Sequence, residues 1–246
     1  MITNNLSSFL VLNQEILWLG SLFLYLFATI LLHRLFKKIG LVVSIVLSIL
    51  LANLFGPKLI TFFGYEISLG LLFYASIFFA TDVLGENYGK REAIQAVKIG
   101  FLVSIMMIII MGLSLLFKPT ISNETSQFSS DIHNAFLLIF DFTPRFILGS
   151  LLAYYISQRF DVWAFHAIKQ KTGGKRLWLR NNLSTMSSQL IDTSIYTLVV
   201  WWSIVDIKTA IQIGLMEYLL KLVISIVDTL FVYWATSQKK VPHSEA

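Results

Sequence analysis

Long uncharged apolar runs alternate with short basic or polar breaks along most of the chain. About 20 apolar residues in a helix cross a hydrocarbon core of roughly 30 Å. Residues 16–32 carry no charge and lead to His33, Arg34, Lys37 and Lys38. Residues 39–57 are uncharged and end at Gly56-Pro57. Further runs cover 67–85, 99–117 (bracketed by Lys98 and Lys118), 142–160, 182–204 and 209–236. The stretch 118–130 is rich in Ser, Thr and Asn and reads as a loop, with a short helix expected at 132–140. The tail 237–246 is polar, and disorder is expected there. The pattern predicts an all-α integral membrane protein, a bundle of about seven transmembrane helices without a soluble domain.

Composition supports this. Only 13% of the 246 residues are charged and 56% are hydrophobic, against roughly 25% charged in a soluble domain. There are too few charges to cover a water-facing surface. Residues 1–32 contain no Lys or Arg, so the basic start of a cleavable signal is missing and the first run reads as a retained span. The absence of cysteine excludes disulfides, thiolate metal sites and cysteine nucleophiles. No P-loop, Rossmann glycines, GxSxG or HExxH occurs, and the four histidines are scattered. Neither a cofactor nor a metal is expected. Asn123-Glu124-Thr125 matches a glycosylation sequon, a match common by chance.

The net charge of +5 could point to nucleic acid, but its placement does not. With the N-terminus outside, the cytoplasmic segments are 33–38, 82–98, 159–180 and 237–246. They hold fourteen of the nineteen Lys and Arg residues, and the external segments hold Lys58, Lys118 and Lys208. That is the positive-inside bias, giving N-out/C-in in the inner membrane and contact with anionic lipid rather than nucleic acid.

Polar groups inside the spans carry the candidate chemistry, because a charge there costs about 2.5–3.5 kcal/mol by insertion scales and needs a partner or a wet cavity. Asp82 and Glu86 lie one helical turn apart and share a face. Arg145 follows Pro144 at the start of the fifth run, where it can meet Asp141 or a cavity. Asn181, Ser184 or Thr185, Ser188 and Asp192 form one hydrophilic stripe, with Gln189 beside it. Such a stripe lines an aqueous path or holds a polar ligand; its plainer reading is interhelical hydrogen-bond glue. Lys221 and Asp228 share a face of the last span, and Lys221 is expected to pair with Asp192 or Asp228. Ser44, Ser48 and Ala52 form a small-residue stripe, with Asn53 beside it. Gly149, Ala153 and Ser157 form another, read as a packing seam compatible with a homo-oligomer.

Four blocks resemble the queuosine-precursor transporter family, also called the vitamin uptake transporter family: FFATDVLGENYGK (78–90), FTPRFILGSLLAYYISQRFDVWAFHAIKQKTGG (142–174), LWLRNNLSTMSSQLIDT (177–193) and YLLKLVISIVDT (218–229). The resemblance covers roughly 39–236. It implies a six-helix transporter core there, residues 1–38 adding an extra N-terminal helix with its basic turn. More distantly it extends to the substrate-binding subunits of energy-coupling-factor transporters. It implies import of a 7-deazaguanine (preQ0, preQ1 or queuine) for tRNA modification. A carboxylate can accept adjacent N–H donors of a guanine-like edge, and amides and aromatic planes can complement the rest. Candidates are Asp82, Glu86 and Asp192 as acceptors, Asn53, Asn181 and Gln189 as amides, Tyr74, Tyr154 and Tyr155 as stacking groups, and Arg145 at the outer mouth. Three rival readings remain: a subunit served by a separate energising complex, with Ser44-Ser48-Ala52 as its docking face, a membrane enzyme acting on a lipid, and a structural or assembly factor that binds no small molecule.

Overall fold

The computed structural model describes residues 13–56, 58–122, 124–140, 144–199, 202 and 206–236. Helix α1 (Gln14–Phe55) breaks at Lys37, whose φ of 55° and ψ of −131° lie outside the helical region. Its two arms lie antiparallel. Thr29 Oγ1 meets Ser44 Oγ at 2.7 Å, and Tyr25 OH meets Ser48 Oγ at 3.4 Å. A side chain on Gly40 would collide with the Leu32 carbonyl, so a glycine is needed for the second arm to fold back this closely. The break at the basic residues is where the sequence puts it, but it is a tight turn. Ser44 and Ser48 face the first arm and are buried with Ala52. The stripe is therefore an internal seam, which removes it as a docking face for an energising complex.

A short ribbon follows: β1 (Leu59–Phe62) pairs antiparallel with β2 (Tyr65–Ser68) through a turn at Phe63 and Gly64, both at positive φ. This corrects the purely helical expectation, since 67 and 68 belong to a strand. Phe62 packs on Trp18 with ring centroids 4.9 Å apart, tying the ribbon to the first arm.

Helix α2 (Leu71–Tyr88) is separated from α3 (Lys90–Ser114) by Gly89 alone, whose φ of 95° allows the reversal. Helix α4 (Ser126–Phe140) begins earlier than the expected 132–140 and buries none of its side chains. Helix α5 (Pro144–Lys171) runs well past 160, so much of the expected cytoplasmic segment 159–180 is helix. Helices α6 (Leu177–Val199) and α7 (Ile207–Thr236) complete the chain. Asp206 caps α7, accepting from the backbone N–H of Lys208 and Thr209 and from the Thr209 hydroxyl. These bonds hold its exposed carboxyl below the usual range.

Side-chain contacts fix the helix directions. Ser157–Asp192 and Asp161–Ser188 make α5 and α6 antiparallel. Asn181–Asp228 and Lys221–Asp192 do the same for α6 and α7. Tyr25–Phe73 and Thr29–Ser76 set the first arm of α1 parallel to α2. The long segments therefore alternate in direction along the chain, with α4 set aside.

The packing inverts that of a soluble protein. Leu24, Leu116 and Leu230 are 70–75% exposed, while Asp82, Asp161, Arg180, Asp192 and Asp228 are at most 3% exposed. An apolar exterior around buried charge suits a lipid solvent. Helices α1, α3 and α7 are long and apolar enough to cross a membrane. Helices α5 and α6 are less apolar because of the polar groups they carry into the interior.

Candidate functional site

The stripe on α6 lies at the centre of the bundle, packed by α5, α2 and α7. Each carboxylate it meets is held differently. Asp192 accepts from Lys221 Nζ at 2.9 Å and from Ser157 Oγ at 3.1 Å. Lys221 also reaches Thr193 Oγ1 at 3.1 Å and sits 5.3 Å from the Tyr74 ring centroid. Of the two acids open to Lys221, Asp192 takes the ammonium, and Asp228 accepts from Asn181 Nδ2 at 3.3 Å. Asn181 and Asn182 both donate to Thr229 Oγ1.

Asp82 accepts from Thr185 Oγ1 at 3.4 Å. Its other neighbour is Asp161 on α5, a carboxyl within hydrogen-bonding reach. Asp161 accepts from Ser188 Oγ at 2.9 Å, and its Oδ2 has no donor. Both carboxyls are buried.

Two narrow crevices open beside this network. The first, with about 240 Å³ not filled by atoms, is lined by Tyr74, Phe78, Thr185, Gln189, Lys221 and Asp228 among others. The second, about 270 Å³, is lined by Asn53, Tyr74, Ser104, Ser150 and Tyr154 with apolar neighbours. Tyr74 borders both. Gln189 Oε1, Asn181 Oδ1 and Tyr154 OH are buried without a hydrogen-bond partner among the described residues, so acceptors and a phenol are free for a polar guest. Each crevice leaves room for little more than a single water-sized molecule, against the roughly 300–1,000 Å³ of ordinary ligand pockets. The helices must separate to admit a molecule.

At the basic end of the bundle, Glu86 is held by Arg180 at 2.6 Å and Lys169 at 2.9 Å. Arg180 also donates to the carbonyls of Gly174 and Lys175 at 2.9 and 3.2 Å, pinning the α5–α6 turn over α2. Its guanidinium lies 5.4 Å from the Phe165 ring centroid. Burial pushes the Glu86 carboxyl up, but Lys169 and Arg180 outweigh it and hold it below its ordinary value. His166 packs against Gly85. Burial, then Lys169 and Lys90, hold it down to about 4, leaving it neutral.

The structure thus brings together Tyr74, Asp82, Asn181, Ser184, Ser188, Gln189, Asp192, Lys221 and Asp228. Ser184 donates to the Asn181 carbonyl. Asn53 and Tyr154 lie in the second crevice, where the Asn53 amide donates to the Ile49 carbonyl. Glu86 lies apart in its ion pairs. Tyr155 lies outside the crevices, its hydroxyl accepting from Arg159. The side chain of Arg145, and Asp141 with it, fall outside the described residues.

Sequence reasoning misses Asp161, fully buried, because it falls in the segment 159–180 assigned to the cytoplasm, and Gln158, equally buried, although it lies within the run 142–160. A signal was there: Ser150, Tyr154, Ser157 and Asp161 recur at spacings of four, three and four, the same periodicity as the α6 stripe they face. Arg180 was counted only as a cytoplasmic charge.

A family model described as "Putative vitamin uptake transporter" matches residues 68–235. A protein of Bacillus subtilis (strain 168) named "Probable queuosine precursor transporter" is 38% identical over 229 residues, spanning 93% of this chain and 96% of that protein. No solved structure matches.

Proposed function

Since the chain belongs to the vitamin uptake transporter family, a family of transporters and not of enzymes, we propose that it imports a queuosine precursor of the 7-deazaguanine class. The observation that carries this is the first crevice, in a chain similar along nearly all its length to a protein named for that substrate. Tyr74 and Phe78 offer faces for a flat heterocycle. Asp228 can accept two adjacent N–H groups of a guanine-like edge, and the free Gln189 carbonyl oxygen a third. Asp192 is neutralised by Lys221 and Glu86 by two cations, which favours Asp228 as the acid that reads the base. Asn53 and Tyr154 make the second crevice a way station on the other side of Tyr74.

The topology that goes with this reading is seven crossings, N-out and C-in, in the inner membrane. The alternating helix directions and the basic residues of 33–38, 82–98, 159–180 and 237–246 support it. The first arm of α1 is the addition to a six-helix core. The Glu86–Arg180–Lys169 cluster closes the cytoplasmic end, so transport requires it to open while the outer end closes.

The test is uptake of radiolabelled preQ0 and preQ1 into liposomes holding the purified chain. Saturable uptake is expected, reduced at least tenfold in Asp228→Asn. Saturable binding without uptake would make the chain a subunit of an energised complex. Absence of binding to either compound would refute the reading.

A further inference from the structure

Asp82 on α2 and Asp161 on α5 face each other in the interior, and among the described residues no cation lies between them. The buried cations are committed elsewhere: Lys221 to Asp192, and Arg180 to Glu86 and two carbonyls. Among the described residues, the other elements packed here bring no compensating charge. α6 presents the hydroxyls of Ser184, Thr185 and Ser188, and α7 presents Asp228, a third acid already bonded to Asn181. α3 packs against α5 through Ala93 and Val97, and its Lys98 is exposed.

The hydrogen bonds around the pair do not close. Four carboxyl oxygens receive Thr185 Oγ1 on Asp82 and Ser188 Oγ on Asp161. Asp161 Oδ2 is buried and has no donor, although the Asp82 carboxyl is its neighbour. Two ionised carboxylates cannot rest in contact in a medium of low dielectric, since repulsion and desolvation both oppose it. One added proton repairs both faults: it supplies the missing donor and removes one of the two charges.

We infer that Asp82 and Asp161 share one proton and form the site at which transport is coupled to proton movement. With the proton bound, α2 and α5 pack closely beside the first crevice, which α2 lines with Tyr74 and Phe78. With it released, two adjacent anions push the helices apart. Because α2 carries Tyr74 and Phe78, the same displacement opens the first crevice. A substrate therefore crosses with a proton, taken from the outer side and delivered inside as the pair loses it. The inference rests on the transport reading above for its role, but not for the existence of the shared proton.

Two measurements separate these. Infrared spectra of the purified chain, labelled with ¹³C at the aspartate side chains, read the shared proton without any substrate. A protonated aspartic acid carbonyl band is expected at neutral pH and is lost on comparing wild type with the Asp82→Asn/Asp161→Asn double variant. Its absence from the wild type overturns the inference, whatever the chain transports. Liposomes loaded with a pH-sensitive dye then read coupling. Addition of preQ0 or preQ1 is expected to acidify the lumen, and an inside-alkaline gradient to accelerate uptake at least tenfold. Asp161→Asn should lose both effects while keeping exchange of labelled for unlabelled substrate, which needs no net proton movement and reports a folded protein. Gradient-stimulated uptake unchanged in Asp161→Asn, or uptake driven by sodium and indifferent to the pH gradient, overturns the coupling role. Lack of any exchange in the wild type would instead sink the substrate assignment, leaving the infrared result standing.

Discussion

Removing either partner of the Lys221–Asp192 pair should cost more than removing both. The ammonium is 9% exposed and makes a 2.9 Å bond to Asp192 and a 3.1 Å bond to Thr193, with the Tyr74 ring 5.3 Å away. In Asp192→Asn the buried ammonium loses its ion-pair partner and keeps only the Thr193 hydroxyl as a hydrogen-bond partner among the described residues. In Lys221→Met the carboxylate keeps only the Ser157 hydroxyl. Breaking a buried pair from one side costs about 3–5 kcal/mol, because an uncompensated charge remains. At roughly 2–4 °C per kcal/mol for a chain of this size, each single variant should lose on the order of 10 °C in melting temperature in detergent. The double variant leaves neither charge of the pair behind and should recover most of that loss, so the coupling should be at least as large as one single loss, about 3–5 kcal/mol. Thermal unfolding of all four proteins, followed by tryptophan fluorescence, completes the cycle. If the double variant loses the sum of the two single losses, the pair is not energetically coupled and the reasoning fails.

Three further outcomes follow from particular contacts. Glu86 has a lowered folded pKa, so its ion pairs stabilise above its unfolded value of about 4.5 and stop doing so as pH falls through the folded value; acid melting curves of wild type and Glu86→Gln should converge there. His166 is held down to about 4 against 6.5 unfolded. The unfolded chain therefore binds the extra proton between those values, stability rises with pH across that window, and His166→Gln should flatten the melting temperature between pH 4 and 6.5. A side chain on Gly100 would strike Ile49 and the Tyr154 hydroxyl; Gly100→Val should fill the second crevice, cost about 1–3 kcal/mol and slow liposome uptake.

How much was legible varied with the physics behind each signal. Apolar runs and basic breaks marked the long helices, because lipid imposes a minimum length and excludes charge. The α6 stripe and Lys221 stood out for the same reason, as polar groups where polarity is costly. Asp161 did not. It follows Arg159 and lies near Lys169, and a linear reading assigns such a mixed region to water; only helix packing reveals that α5 carries Asp161 inward against Ser188. Glu86 was legible as an unusual charge but not as a partner of Arg180, since they are far apart in sequence and meet only through the antiparallel packing of α2 and α6. The ribbon at 59–68 was hidden because it is short and falls mostly between two runs, with only Ile67 and Ser68 reading as the start of the next one.

The central claim is import of a 7-deazaguanine, and cells test it most directly. A strain unable to make queuosine and lacking its own importer, but with salvage intact, would express this chain and receive preQ0, preQ1 or queuine at low concentration. Queuosine in its tRNA is the readout. Rescue by at least one compound is expected, lost in Asp228→Asn at normal membrane abundance. Failure of all three to restore queuosine, with the protein correctly inserted, would contradict it.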